Sequence, residues 1–160
     1  MRRGVRVGVD VGKVRIGVAR TDPDALIATP IETVARAGDS GDDIRTILAH
    51  ATELEAVEII VGLPLALSGN DTASTQDARA FASRLSAEAA VDVRLVDERL
   101  STVTAQSALR AAGRKSRQQR SIIDQVAAVI IVQHAIDFER SSGRPPGILV
   151  VNGVATDEGR

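Results

Sequence analysis

The sequence predicts one α/β domain with a mixed β-sheet of about five strands, or slightly more, and helices on both faces. Two observations support this class. Short apolar runs typical of strands alternate with longer segments whose apolar residues recur at helical spacing. This alternation predicts parallel strands joined by helices. The first two apolar runs, however, are separated only by a turn that contains Gly12 and Lys13, which predicts an antiparallel hairpin. The sheet must therefore contain both strand directions.

The first part of the chain predicts three strands and then a helix. The runs 5–11 and 15–20 form the hairpin, and 30–34 adds an edge strand. From Asp43 onward the apolar residues repeat with the period of a helix. Its apolar face consists of Ile44, Ile47, Leu48, Ala51 and Leu54.

The remainder of the chain alternates helices and strands. Buried strands are predicted at 57–62 and 91–96, with a helix at 72–89 between them. The later elements, in chain order, are a helix from 101 or 102 to 112, a basic loop at 114–120, a strongly apolar helix at 122–138 and a strand at 148–151. We expect one domain over 1–153 and a C-terminal tail over 154–160.

Composition excludes several kinds of site. The chain has 160 residues, of which 44% are hydrophobic and 26% charged, as in an ordinary globular domain. It contains no cysteine, which excludes disulfides, thiolate zinc sites and cysteine nucleophiles. Phe81 and Phe138 are its only aromatic residues among Phe, Trp and Tyr, too few for a platform that stacks single-stranded bases. His50 and His134 make no zinc constellation.

The sequence predicts a cytoplasmic protein with no membrane partner. The basic residues at the start are followed by an apolar run that Arg6 and Asp10 interrupt, unlike the core of a signal peptide. We identify no run of the ~20 apolar residues that a membrane-spanning helix needs.

Acidic residues occur where predicted elements begin or end. Asp10 ends the first strand, Asp97 and Glu98 follow the strand 91–96, and Asp124 lies near the start of the apolar helix. Sites in open α/β sheets form beyond the carboxyl ends of the strands. Carboxylate oxygens there suit Mg²⁺ or Mn²⁺, and a cluster on separate elements suits metal-assisted phosphoryl transfer. Periodicity alone does not decide whether Glu98 or Asp97 belongs to such a cluster. Taken alone, Asp124 also fits an acidic residue in the first turn of a helix, where the helix dipole favours negative charge.

Four blocks of sequence resemble the YqgF/RuvX family. They are GVDVGKVRIGVARTD (8–22), VGLPLALSGNDTASTQDARAFA (61–82), VDERLSTVTAQSAL (96–109) and IIDQVAAVIIVQHAID (122–137). The resemblance implies an RNase H-like fold and a metal-dependent nuclease that processes the 5′ end of pre-16S rRNA, or alternatively resolves Holliday junctions. It also implies that Asp10, Glu98 and Asp124 are catalytic and hold Mg²⁺ or Mn²⁺.

Basic residues near these acids predict a nucleic acid as the partner, either precursor rRNA or branched DNA. Between 110 and 120 there are five basic residues and no acidic one, and arginine suits bidentate contact with phosphate. The candidate nucleic-acid-binding residues are Lys13, Arg15, Arg99, Arg114, Lys115 and Arg117. The chain is expected to be a monomer or a homodimer; a junction resolvase should be a two-fold dimer, because it cuts two symmetric strands.

Two other functions stay open at this point. The hairpin VDVGKVRIGVA is similar to the phosphate loop of the actin and sugar-kinase superfamily, but those proteins close a nucleotide cleft between two such domains, and this chain has room for one. The other alternative is a non-catalytic nucleic-acid-binding module. Retention of all three acids argues against it.

Overall fold

The computed structural model describes residues 1–98, 117–151 and 154–156, which form one seven-stranded mixed sheet. The strands are β1 (Arg6–Val11), β2 (Arg15–Thr21), β3 (Ala28–Ala35), β4 (Glu58–Leu63), β5 (Asp92–Asp97), β6 (Ile148–Val151) and β7 (Val154–Thr156). The helices are α1 (Asp42–Glu53), α2 (Ala73–Glu88) and α3 (Arg117–Ser142). Across the sheet the order is β3-β2-β1-β4-β5-β6-β7. β1, β4 and β5 are parallel, and the other neighbours pair antiparallel.

Side-chain alternation divides the strand residues between two cores. Along β1, Val7 and Val9 belong to the larger core, which contains the buried side chains of α1 and α2. Gly8 between them faces α3, because a Cβ added there would lie 2.7 Å from Cβ of Val132. The smaller core joins α3 to the other face of β2 and β4. The predicted mixed sheet with helices on both faces is therefore confirmed.

Local sequence explains how two of the helices begin. α2 starts at a capping box in which Thr72 Oγ1 accepts from the Thr75 N–H at 3.2 Å, and Thr75 Oγ1 accepts from the Thr72 N–H at 2.9 Å. These two bonds satisfy backbone donors that a helix start leaves without partners. Before α1, Gly41 adopts a left-handed conformation with φ of 72°, which glycine accommodates without a Cβ clash.

Helix α3 contains the strongly apolar segment that the sequence predicts at 122–138. Ser121–Ser142 is long and apolar enough, by length and composition alone, to cross a membrane. In the structure, its central residues instead pack on the sheet. The buried apolar residues of this helix are Ala127, Ala128, Ile131, Val132, Ala135 and Ile136. The helix thus forms the smaller core of the domain.

Three boundaries differ from the sequence prediction. β7 pairs with β6 through Val151 and Val154, inside the segment predicted as a tail from 154. α3 begins at Arg117, inside the loop predicted at 114–120. The edge strand predicted at 30–34 is longer, because β3 pairs with β2 from Ala28 to Ala35 around one irregularity. The helix predicted up to 112 lies outside the described residues.

A buried network of ion pairs fastens the last turns of α3 to the amino ends of the strands. Arg6 of β1 contacts Glu139 at 2.9 Å, and Arg94 of β5 contacts Glu58 of β4 at 2.8 Å. Arg2 bridges the two carboxylates. Burial acts to raise the pKa of Glu139, but the hydrogen bond and the charge of Arg2 outweigh it, so that pKa is lowered. These four buried charges are therefore paired, as buried charges must be.

Candidate active site

Asp10 lies in β1 on the face that α3 covers. It is partly buried, and its partner across the hairpin is Gly17 of β2. Gly8, two residues earlier, lies against α3, and residues two apart on a strand share a face. The Asp10 carboxyl therefore points into the space between the sheet and α3, near the carboxyl ends of the parallel strands.

Glu98 and Asp97 have different environments, although they are adjacent. Val93 and Leu95 of β5 belong to the larger core, so alternation assigns Asp97 to their side of the strand and Glu98 to the α3 side. Glu98 is 4% exposed, whereas Asp97 is exposed. The Glu98 carboxyl is hydrogen-bonded to Asp10. The structure thus brings Glu98, and not Asp97, to Asp10.

Asp124 reaches the same place from α3. Its charge acts on the Asp10 carboxyl, and its Oδ2 accepts a hydrogen bond of 2.8 Å from Nε of Arg15 at the start of β2. The Asp124 side chain is 16% exposed and that of Arg15 is 37% exposed. One edge of the Arg15 guanidinium therefore faces the carboxylate, while much of the group remains accessible to solvent.

Two glycines make room for these acids on the strands beside β1. A Cβ on Gly17 of β2 would lie 1.8 Å from the carbonyl oxygen of Asp124. A Cβ on Gly62 of β4 would lie 2.6 Å from Oε2 of Glu98 and 2.5 Å from Cδ1 of Ile131. Any other residue would push α3 or the Glu98 carboxyl away from the sheet. These glycines are functional residues that the sequence analysis missed, because an absent side chain leaves no periodic signal.

The ionised form of Asp10 is destabilised in the folded chain. Removal from solvent and the charge of Asp124 raise the pKa of Asp10 to about 6, although the hydrogen bond with Glu98 opposes the change. A bound cation would relieve this repulsion, and oxygen-only donors fit a hard cation such as Mg²⁺. Over the described ranges, no three Asp, Glu or His side chains already stand as a group that could hold a metal.

Of the other predicted nucleic-acid-binding residues, Lys13 is the one whose side chain the structure describes. Lys13 is exposed. The pKa of Asp77 is lowered first by its hydrogen bond from Arg36 and to a lesser extent by the charge of Lys13, so Lys13 acts near the start of α2. The predictions that lie outside the described residues are Arg99, Arg114, Lys115 and the side chain of Arg117.

Comparison with known proteins gives consistent matches along the chain. A family model described as "RuvX: Holliday junction resolvase" matches residues 4–138. A protein of Clavibacter michiganensis subsp. michiganensis is 63% identical over 94% of this chain and 93% of its own length. One of Leifsonia xyli subsp. xyli is 60% identical over 92% and 94%. Both carry the name "Putative pre-16S rRNA nuclease".

Among solved structures, the chain is similar to RuvC of Thermus thermophilus in complex with a Holliday junction substrate. The TM-score is 0.57 at 16% identity, over 89% of this chain and 99% of the other. A second structure of Thermus thermophilus RuvC gives a TM-score of 0.51 at 17% identity. At this identity the likeness concerns the fold alone, and it confirms the RNase H-like architecture that the sequence predicts.

Proposed function

The chain belongs to the RuvX family, and we propose that it is a metal-dependent nuclease that matures the 5′ end of pre-16S rRNA. One observation carries the proposal beyond family membership. Asp10 on a strand is hydrogen-bonded to Glu98 at a strand end and is acted on by the charge of Asp124 on a helix, so that carboxyls from three elements interact at one edge of the sheet. In that position Asp10 is held with a raised pKa, and perturbed carboxyls of this kind are typical of functional sites.

We assign the three acids to the metal. Asp10, Glu98 and Asp124 would hold one or two Mg²⁺ or Mn²⁺ ions, and a bound ion of this type activates water and stabilises charge that develops on a phosphate. The chain's own residues prepare the site. Glu98 shares a hydrogen bond with Asp10, which keeps the two carboxyls together. Gly17 and Gly62 keep the sheet surface bare beneath them.

Arg15 is the described basic residue best placed to contact the substrate backbone. Its Nε is occupied by Asp124, and its remaining nitrogens belong to a side chain that is 37% exposed. A planar guanidinium can serve a carboxylate on one edge and a phosphate on another. We therefore assign Arg15 to a phosphate next to the cleaved bond.

For the substrate, precursor rRNA has the stronger support. The relatives that carry the pre-16S rRNA nuclease name are 60% and 63% identical over almost the whole chain, whereas the junction-bound RuvC is 16% identical. Holliday junction cleavage is the second candidate, because the family description itself names that activity. It requires two sites related by a two-fold axis, so a purely monomeric protein in solution would oppose it.

The test is a cleavage assay with Mg²⁺ or Mn²⁺ on precursor 16S rRNA and on a synthetic four-way DNA junction, side by side. Asp10→Asn, Glu98→Gln and Asp124→Asn should each reduce cleavage by at least about 10³-fold, since each change removes one charged ligand. Asp97→Asn is the matched control, because Asp97 is adjacent to Glu98 but exposed. It should cleave at the wild-type rate. Equal activity of wild type and Asp10→Asn would refute the proposed site.

A further inference from the structure

The hydroxyl group of Thr33 binds the edge strand β3 to the turn of α3 that carries Asp124. Oγ1 of Thr33 donates to the carbonyl oxygen of Ser121 at 2.9 Å. The same atom accepts from Oγ of Ser121 at 2.9 Å and from Nε2 of Gln125 at 3.1 Å. One donated and two accepted bonds use the full capacity of a hydroxyl. Thr33 therefore holds residues on both sides of Asp124.

The strand register explains why Thr33 can hold this particular turn. Asp10 pairs with Gly17, and Gly17 pairs with Thr33, so the three residues form one row across β1, β2 and β3. Directly paired residues of antiparallel strands point to the same face. The backbone of Asp124 rests above the middle residue, where a Cβ on Gly17 would lie 1.8 Å from its carbonyl oxygen. Along the row, Asp10 thus supplies a carboxyl group, Gly17 leaves space for the backbone of α3, and Thr33 supplies a hydroxyl group.

We propose that Thr33 is a positioning residue of the active site, which fixes the distance between Asp124 and Asp10 by anchoring the first turns of α3. The inference rests on the proposed function, because it concerns the same three acids. It adds a residue that touches none of them. Without the hydroxyl, the helix turn would retain the Arg15 contact from β2, but no bond from β3 to Ser121 or Gln125.

Small displacements of this turn have large consequences for a metal site. A misplacement of about 1 Å in a catalytic group costs on the order of 10²-fold in rate. Residues that orient metal-binding groups from behind typically change metal affinity or activity by about 10–100-fold when removed. The effect of losing Thr33 should therefore appear in metal affinity and in kcat, and not in affinity for the nucleic acid backbone.

The test compares Thr33→Val, which preserves shape and removes the hydroxyl, with Thr33→Ser, which keeps it. Thr29→Val is the matched control, since Thr29 is an exposed residue of the same strand. For each full-length variant, Mn²⁺ affinity is measured by calorimetry, and kcat and KM are measured on precursor rRNA. A thermal unfolding curve of each variant verifies that it is folded at the temperature of these measurements.

We expect Thr33→Val to weaken Mn²⁺ binding by about tenfold and to lower kcat by about tenfold, with KM within about twofold of wild type. Thr33→Ser should restore both values, and Thr29→Val should leave them unchanged. A folded Thr33→Val protein with wild-type Mn²⁺ affinity and kcat would overturn the proposal, as would a loss that serine does not rescue. Asp124→Asn distinguishes failure of the positioning role from failure of the proposed function. If Asp124→Asn also leaves Mn²⁺ binding and cleavage intact, the proposed function fails. If Asp124→Asn abolishes Mn²⁺ binding and cleavage while Thr33→Val does not, only the positioning role of Thr33 fails.

Discussion

Replacing Asp10 by asparagine should stabilise the metal-free protein while it abolishes cleavage. The pKa of Asp10 in the folded chain is about 6, whereas an unperturbed aspartate has a pKa of about 3.9. At ~1.4 kcal/mol for each pH unit, ionised Asp10 lowers the free energy of unfolding by up to about 3 kcal/mol. Asparagine carries no charge, so this penalty is absent from the variant. We therefore expect a gain on the order of 1–3 kcal/mol at pH 7.5.

The size of the effect depends on pH, and its sign does not. Below pH ~4 the aspartate is protonated in both the folded and the unfolded chain, so wild type suffers no penalty relative to Asp10→Asn. As the pH rises from about 4 to about 6, the unfolded chain releases this proton before the folded chain does, and the wild type loses stability relative to the variant. Above pH ~6 the difference should be constant.

The assay is urea unfolding of wild type and Asp10→Asn in EDTA at several pH values between 4 and 8. Asp97→Asn serves as the control, and because Asp97 is exposed its change should stay within about 0.5 kcal/mol. Added Mg²⁺ should stabilise the wild type but not Asp10→Asn, since only a folded chain that binds the ion gains stability from it. The reasoning is wrong if Asp10→Asn is the less stable protein at pH 7.5 in EDTA, or if the difference does not vary with pH.

Three further predictions concern the groups around the acids. Gly17→Ala would put a methyl carbon 1.8 Å from the Asp124 carbonyl oxygen, so α3 must shift. We expect the cleavage rate to fall at least about 10²-fold. The rate is measured on protein that circular dichroism shows to be folded. Arg15→Gln should weaken nucleic acid binding and reduce by about one the slope of the logarithm of the binding constant against the logarithm of the salt concentration. Binding is measured by fluorescence anisotropy with Ca²⁺ in place of Mg²⁺. An unchanged slope would exclude a phosphate contact. Glu139→Gln leaves the buried Arg6 without its counter-charge and should cost about 3 kcal/mol or more in urea unfolding, with little effect on kcat at temperatures where the variant is folded.

Most of the fold could be predicted, because each strand and helix leaves its own period in the sequence. The exceptions have local causes. β7 was predicted as tail, although Asn152 and Gly153 separate it from β6 and Asn-Gly is a strong signal for a two-residue hairpin. The start of α3 at Arg117 was predicted as loop, because polar residues without apolar spacing resemble a loop even when they extend a helix.

The site could be predicted only in its charged members. Asp10 and Asp124 are conspicuous, since each is an acid in or beside an apolar element. Periodicity alone did not separate Glu98 from Asp97, because the side of β5 that faces α3 is set by packing: in the structure, Leu95 of the larger core and Asp97 share one side of the strand. Thr33 could not be predicted either. It binds Ser121 across a separation of 88 residues, and no local pattern in the sequence marks such a contact.

The two ends of α3 carry charged groups in different arrangements. At the amino ends of the strands, the carboxylates of Glu58 and Glu139 are matched by three guanidinium groups. This paired end secures the helix to the sheet, as a structural network should. At the other end of the same face, Arg15 binds Asp124, while burial and the charge of Asp124 raise the pKa of Asp10. Ionised Asp10 therefore destabilises the metal-free protein, and a divalent cation would offset that cost. The cost falls at the position where the proposed chemistry needs a cation.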